Sequence, residues 1–476
     1  MKNLLLLLLL FAGITACHIR NDQPNFLFLF ADDHSYRAAG FTGNSVVQTP
    51  HINQLAAEGI CFNNAYNMGG WHGAICVASR TMLNTGRTIW RSMQAEPVLD
   101  SLADTGQFWS QLLASNGYET YFTGKWHVKV QPEKLFHHVR HVRPGMPGTV
   151  PESYNRPLEG QPDPWSPYDT TIGGFWEGGK HWSEVVADDA IDYLQMASEN
   201  EKPFFMYIAF NAPHDPRQSP EEYVEMYPVE QIPLPGSFLP EYPYKEEMGC
   251  PPGLRDEKLA PFPRTPFAVK KHMAEYYAII THLDHQLGRI MDELNKLGLA
   301  DNTYIIYSAD HGLGCGKHGL MGKQNMYEHS LKPPLIIAGP GIEAGSSSDL
   351  LVYLQDIVPT TLELSGTGKP DHVEFNSLLP VIRDQGSDGS YSHIYGCYMD
   401  VQRMIRDEQF KLIAYPKAGV VRLYDLENDP LELNDLAGVD SYENRIEKMF
   451  SEFEIISNSL DDTLAIRNFY REAGGD

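Results

Sequence analysis

The chain has 476 residues, with 37 Lys or Arg against 62 Asp or Glu, a formal net charge of −25 at pH 7. Nucleic-acid binding needs a basic face, so this balance argues against such a partner, while a small anion could still be held by a few cations in one pocket. With 42% hydrophobic and 21% charged residues the composition is globular, sized for one large catalytic domain and a smaller one.

Met1-Lys2-Asn3 precedes the run Leu4 to Leu10 and then Phe11-Ala12-Gly13-Ile14-Thr15-Ala16-Cys17. A short cationic start, an apolar stretch and small residues predict an export signal over residues 1–16, too short to stay as a membrane span. Ile14-Thr15-Ala16-Cys17 resembles a bacterial lipobox, with cleavage before Cys17 and lipid on its sulfur; a plain secretory signal with an incidental cysteine is the other reading. Either way the expected location is outside the cytoplasm, in the periplasm or at the cell surface, with membrane contact only through that lipid. If Cys17 is lipidated and Cys76 is chemically special, Cys61, Cys250, Cys315 and Cys397 remain, and four cysteines allow three pairings.

Asn25 to Phe30 is a continuous apolar run ending in Ala31-Asp32-Asp33-His34, the pattern of a strand buried on both faces. Helical patterns follow over Asn53 to Gly59 and Phe108 to Asn116, then a Pro- and Gly-rich segment from His141 to Gly179. A helix is predicted from Trp182 to Ala197, and a second buried strand, Pro203 to Phe210, runs into Asn211-Ala212-Pro213-His214. The segment Pro213 to Pro266 is again poor in pattern, and loops this long in a compact enzyme line or cover a binding site. The longest helical pattern, His272 to Leu297, leads to a third strand, Thr303 to Ala309, ending in Asp310-His311-Gly312.

Three apolar strands that each run into ionisable residues define one site at the carboxyl edge of an open α/β sheet. Past residue 385 the texture changes: Arg403 to Ile413 reads as two strands around a turn, Val420 to Leu426 as another, and Tyr442 to Arg471 as helical. The predicted organisation is a catalytic α/β domain over 23–385, a large mixed sheet sandwiched by helices, and a smaller α+β domain over 386–476.

Cys76-Val77-Ala78-Ser79-Arg80-Thr81-Met82-Leu83-Asn84-Thr85-Gly86-Arg87 places a thiol at the start of a helix-like stretch, facing the positive end of the dipole, with Arg80 one turn on. This string resembles the signature of type I sulfatases, Cys-x-Pro/Ala-Ser-Arg followed by Leu-x-Thr-Gly-Arg, with Ala78 where Pro is commoner. The resemblance implies an alkaline-phosphatase-like fold and oxidation of Cys76 to formylglycine by a maturation enzyme, its hydrated aldehyde being the nucleophile. Gly124-Lys125-Trp126-His127, Pro213-His214 and Gly322-Lys323-Gln324-Asn325 match further family motifs, in family order. Tyr424 to Pro430 also looks typical of sulfatases.

Asp32, Asp33 and Asp310 are three hard oxygen donors suited to Ca²⁺ or Mg²⁺. The resemblance implies calcium there, with Cys76 as formylglycine and His311 completing the ligands. It also implies that Arg80, Lys125 and Lys323 form the anion pocket. Asp310 would be the base toward the gem-diol, His214 the acid for the leaving sugar oxygen with Lys323 assisting, and His127 the group that collapses the sulfated intermediate.

The implied substrate is a sulfated carbohydrate, such as a glycosaminoglycan or algal glycan fragment. Trp71, His72, Arg217 and His318 are candidate sugar contacts because they flank the motifs. Two other readings stay open: a phosphodiester or phosphonate-ester hydrolase of the same superfamily, and a lipoprotein that binds sulfated glycan without turnover.

Overall fold

The computed structural model describes residues 23–383, 389–464 and 466. The export signal, Cys17 and the last residues of the expected terminal helix lie outside the described residues, as does 386, the expected domain boundary. Among the described residues no helix is long and apolar enough to cross a membrane.

The expected buried strands are β1 (Asn25–Ala31), β6 (Phe204–Ala209) and β7 (Thr303–Ala309). With β2 (Ile60–Tyr66), β4 (Glu119–Lys125), β5 (His138–Arg143), β8 (Leu335–Ala338) and β9 (Ser346–Tyr353) they form one sheet in the order β5-β4-β6-β1-β7-β8-β2-β9. Strand β8 runs antiparallel to both neighbours, and the other adjacent pairs are parallel. In register, Phe28 lies between Tyr207 and Ile306.

Strand β1 shows why an unbroken apolar run is needed here. Phe26, Phe28 and Phe30 point into one apolar layer with Trp109, Tyr207 and Ile337. Leu27, Leu29 and Ala31 point into the opposite layer with Val186, Leu194, Leu283 and Ile290. All six are fully buried. At about 1.5–3 kcal/mol for each large side chain, neither face tolerates a polar residue.

The helices of that second layer are Trp182–Ser198 and Pro266–Lys296. The latter starts earlier than its apolar periodicity indicates. Thr265 caps it, Oγ1 accepting from Ala268 N at 3.1 Å, and Pro266 takes the first turn, where no N–H is needed.

A second sheet has the order β13-β12-β11-β10-β3. Its strands β10 (Ile394–Tyr398), β11 (Gln402–Arg406), β12 (Phe410–Tyr415) and β13 (Val420–Asp425) pair antiparallel in succession. Its edge, β3 (Gly69–Gly70), comes from just before Cys76 and runs parallel to β10. Gly69 has φ +91°, and a Cβ there would lie 1.9 Å from the Cys397 carbonyl oxygen, so only glycine allows this seam. The helix Glu443–Ser459 covers the sheet through Ile446, Met449, Phe450 and Phe453. It ends short of the expected Arg471.

Candidate active site

Strand ends and one helix deliver the candidate residues to a single place. Asp32 and Asp33 follow β1, Lys125 ends β4 with His127 two residues on, His214 follows β6, and Asp310 and His311 follow β7. Cys76 and Arg80 lie on the helix Ile75–Thr85, one turn apart, and Lys323 comes from the loop after β7. That helix stops at Gly86, whose φ of +69° lets its N–H donate to the Met82 carbonyl at 2.8 Å. Ser79 ties the helix to β7, its hydroxyl donating to the Asp310 carbonyl at 2.9 Å, and Asn67, just past β2, donates to the same oxygen at 2.7 Å. Asp33 and His127 hold positive φ values of 68° and 57°, and such conformations gather where surrounding structure over-determines them.

The cluster is dense and buried. Arg80 Nε donates to Asp310 Oδ2 at 3.1 Å and its Nη1 to the Lys125 carbonyl at 2.8 Å. Lys125 pairs with Asp32 Oδ2. Lys323 Nζ donates to both Asp33 oxygens, at 2.8 and 2.9 Å, and lies 3.5 Å from Cys76 Sγ. His311 donates through Nδ1 to the Gly312 carbonyl at 2.9 Å, which turns Nε2 toward Cys76 Sγ at 3.3 Å and Asp33 Oδ1 at 3.4 Å. His214 donates through Nδ1 to the Asp215 carbonyl at 2.8 Å, leaving Nε2 3.8 Å from Asp33 Oδ2.

Burial alone would raise the Cys76 thiol, but Lys125 and Lys323 outweigh it and hold the thiol well below its usual range. Asp32 is pushed well up by burial and by Asp310, against Lys125, and burial raises Asp33 to about 6 against Lys323 and His311. Asp310 is held well down despite its burial, by His311 and Arg80. His311 is raised to about 9: burial opposes this, and Asp310 and Asp33 prevail. Burial, reinforced by Lys323, keeps His214 well below its ordinary value, and burial also lowers His127.

These residues fit a divalent cation. Ligand atoms of Asp32, Asp33, Cys76 and His311 all lie within 4.8 Å of one another. Asp32 Oδ1 is buried without a hydrogen-bond partner. Burial is the main reason both carboxyls are raised, so their charged forms lack solvation there, and a hard cation suits such oxygens.

Cys76, His127, His214 and Lys323 line one cavity of about 470 Å³. Gly73, Ala74 and Gln324 line it beside these, and the two long pattern-poor segments supply the rest: Pro144, Gly145 and Met146 from the first, Leu254, Arg255 and Asp256 from the second. The four candidate sugar contacts lie elsewhere. Trp71 packs against the core of the C-terminal sheet and edge-on to His72, at 5.7 Å between rings, and His72 faces Glu96 at 3.8 Å. Arg217 is 2% exposed, its Nη1 donating to His272 Nδ1 at 3.1 Å, and it lines a separate small cavity. His318 stacks on Tyr327 at 3.9 Å, donates to the Glu432 carbonyl at 3.0 Å and lines a third cavity. None of the four lines the Cys76 cavity, although Gly73 and Ala74, directly after His72, do. Arg255 and Asp256 went unrecognised individually; only the long loop that carries them was legible.

Among the described residues no cysteine is paired: Cys61, Cys250, Cys315 and Cys397, like Cys76, are all buried and free of disulfides.

Comparison with known proteins agrees with this geometry. Residues 24–367 match the family model described as sulfatase, and residues 316–459 one described as N-sulphoglucosamine sulphohydrolase, C-terminal. An N-acetylglucosamine-6-O-sulfatase of Bacteroides thetaiotaomicron is 27% identical, over 94% of this chain and 90% of that one. An arylsulfatase of Clostridium perfringens is 28% identical, over 89% and 92%. A protein solved in complex with its substrate D-glucosamine-2-N,6-O-disulfate superposes with a TM-score of 0.70 at 24% identity, over 93% of this chain and 99% of that one. A phosphonate monoester hydrolase from Silicibacter pomeroyi superposes with a TM-score of 0.72 at 19% identity, over 93% and 96%. At these identities the superpositions establish the fold, and the match over 24–367 establishes the kinship: the chain belongs to the sulfatase family and is a sulfuric ester hydrolase.

Proposed function

We propose that this enzyme hydrolyses O-sulfate esters on carbohydrates, using a formylglycine derived from Cys76 and a calcium ion. The observation that carries the proposal is the position of Cys76 Sγ, 3.3 Å from His311 Nε2 and 3.5 Å from Lys323 Nζ, at the floor of the cavity. The depressed thiol beside two lysines suits oxidation, which a formylglycine-generating maturation enzyme would carry out. The curated relative acting on N-acetylglucosamine 6-O-sulfate supports a sugar as the alcohol part.

Asp32, Asp33, Asp310 and His311 would hold the calcium, with the modified Cys76 as a further ligand. That ion would supply electrophilic neutralisation of charge on a sulfate oxygen. The formylglycine hydrate would supply the nucleophile. The remaining work falls to side chains already in place. Arg80 and Lys125 hold the anion, and fixed donors of this kind stabilise developing charge. Arg80 Nη2, buried without a hydrogen-bond partner and 3.9 Å from Asp32 Oδ1, has donor capacity left for this. Asp310 takes the first proton. His214 presents Nε2 to the cavity as the acid toward the leaving sugar oxygen, delivering a proton it would take up once the bound anion offsets the burial and the Lys323 charge that hold its ring neutral. His127, whose Nδ1 is likewise buried without a partner, accepts the proton that frees sulfate. The N-terminal sequence supports export, with lipid attached at Cys17.

The test is sulfate release, read by ion chromatography, from a panel of sulfated mono- and disaccharides. Protein is coexpressed with a maturation enzyme and conversion of Cys76 is checked by peptide mass. Release from a sulfated sugar is expected. Full conversion with no release from any sugar, alongside hydrolysis of phosphodiesters or phosphonate esters, would overturn the proposal.

A further inference from the structure

Beyond the candidate catalytic and metal-binding groups, three polar side chains line the Cys76 cavity: Arg255, Asp256 and Gln324. Asp256 and Gln324 are buried against each other. Gln324 Nε2 donates to Asp256 Oδ2 at 2.8 Å and to the Gly73 carbonyl at 3.1 Å. Arg255 differs. Its side chain is 33% exposed, while the two carboxylates that hold it, Asp215 at Nη1 and Asp256 at Nη2, are each 5% exposed. The guanidinium is therefore what this group presents to the cavity.

The charges in this wall balance. Burial would raise the Asp215 carboxyl, but Arg255 and Arg217 hold it down and charged. Arg255 and Arg217 thus stand against Asp215 and Asp256, while Lys323 faces Asp33 on the catalytic side. Arg217 is 2% exposed and lines a separate cavity, so the exposed end of a neutral group is the Arg255 cation. Its two carboxylate partners also fix the plane of the guanidinium, which lowers the entropy lost when a ligand engages it. They do not exhaust its N–H donors.

We infer that Arg255 is a specificity-determining residue that receives a second anionic group of the substrate, a carboxylate or a further sulfate, while the scissile sulfate lies at Cys76. This rests on the carbohydrate sulfatase reading and narrows its substrate class to glycans carrying more than one anionic group. The cavity, about 470 Å³, is in the range that holds a whole small ligand, so other substituents of the sugar enter it with the sulfate. A hydrogen bond from a guanidinium to an anionic oxygen is roughly twice as strong as one between neutral groups, and the guanidinium fork matches such oxyanions. A neutral hydroxyl or N-acetyl group in the same place gains less. Because Arg255 is partly exposed, the expected discrimination is modest, roughly tenfold.

The experiment measures kcat/KM for O-sulfate release by converted enzyme on two matched pairs at fixed ionic strength. One pair is an O-sulfated glucosamine in N-sulfo and N-acetyl forms. The other is an O-sulfated hexosamine linked to a uronic acid, as free carboxylate and as methyl ester. The anionic member of at least one pair should be preferred by roughly tenfold, and the pair that shows it tells sulfate from carboxylate. In Arg255→Gln that preference should disappear, mainly through KM. Because Arg255→Gln leaves two buried carboxylates without this partner, Arg255→Lys is the second variant. Its point charge cannot serve both carboxylates and an incoming anion, so the preference should drop several-fold. No preference for the anion in either pair, or one that a folded variant keeps unchanged, would overturn the inference and leave the carbohydrate sulfatase reading standing. Hydrolysis of an aryl sulfate with no release from any of these sugars would overturn both.

Discussion

Gly145 tests whether His127 works from its observed position. The loop Pro144 to Met146 lies against the His127 ring, and a Cβ built on Gly145 would stand 2.4 Å from Cε1, 2.5 Å from Nε2 and 2.8 Å from Nδ1. Ordinary carbon contacts lie at about 3.5–4.0 Å, so in Gly145→Ala the ring or the loop must give by about 1 Å. The loop is tethered, because Asn211 Nδ2 donates to the Pro144 carbonyl at 2.9 Å, and breaking that bond costs about 1 kcal/mol. The ring is the softer partner, so it should leave its observed position. A displacement near 1 Å at a reacting group costs about 100-fold in rate.

The assay is kcat/KM for sulfate release by converted Gly145→Ala enzyme, repeated in a His127→Ala background to complete a double-mutant cycle. In the first background the loss should approach about 100-fold. In the second it should fall to about threefold or less, because there is no ring left to displace. Equal losses in both backgrounds would refute the reasoning, as would a Gly145→Ala enzyme with unaltered kinetics.

Further predictions address the nucleophile, the metal, a buried histidine and the seam between the sheets. Cys76→Ala should reduce sulfate release to background while thermal unfolding shifts little, since a small side chain replaces another small one. Lys323→Ala removes the cation that donates to both Asp33 oxygens; the rise in Tm on adding calcium to chelator-treated protein should then be larger than in the unaltered enzyme, because a buried carboxylate left unpaired gains more from a cation. An equal calcium response in both would place the ion elsewhere.

Burial lowers His318 from its ordinary 6.5 to about 4, so the unfolded chain takes up a proton that the folded one refuses. Stability from this residue is complete above pH 6.5 and lost as pH falls toward 4, by about 3 kcal/mol at most. His318→Asn should flatten denaturant-derived stability over that window, with KM for sugars unchanged because the ring lies outside the Cys76 cavity. Gln402→Leu should cost about 1–3 kcal/mol and lower kcat. Its Nε2 donates to the Met248 and Gln324 carbonyls, both at 2.7 Å, so β11 supports the loop that carries Lys323.

The individual strands and the chemistry at their ends were legible in the chain alone. A strand buried on both faces must be apolar at every position, so β1, β6 and β7 announce themselves, and the polar residues after them mark the sheet's carboxyl edge. The helix carrying Cys76 and Arg80 was readable because its motif residues have local jobs, such as the Gly86 stop and the one-turn spacing. These signals act over a few residues, and periodicity records them.

Pairings across hundreds of residues leave no such trace. Nothing near Gly69 predicts that it will run beside Cys397, and even over 40 residues nothing near Arg255 predicts that Asp215 will pair with it. Trp71, His72, Arg217 and His318 sit close to motifs in sequence, yet none of them lines the cavity. The residue types and their order determined which reaction this chain is equipped for; only the tertiary structure decided which groups wall the substrate, because that depends on where distant loops meet.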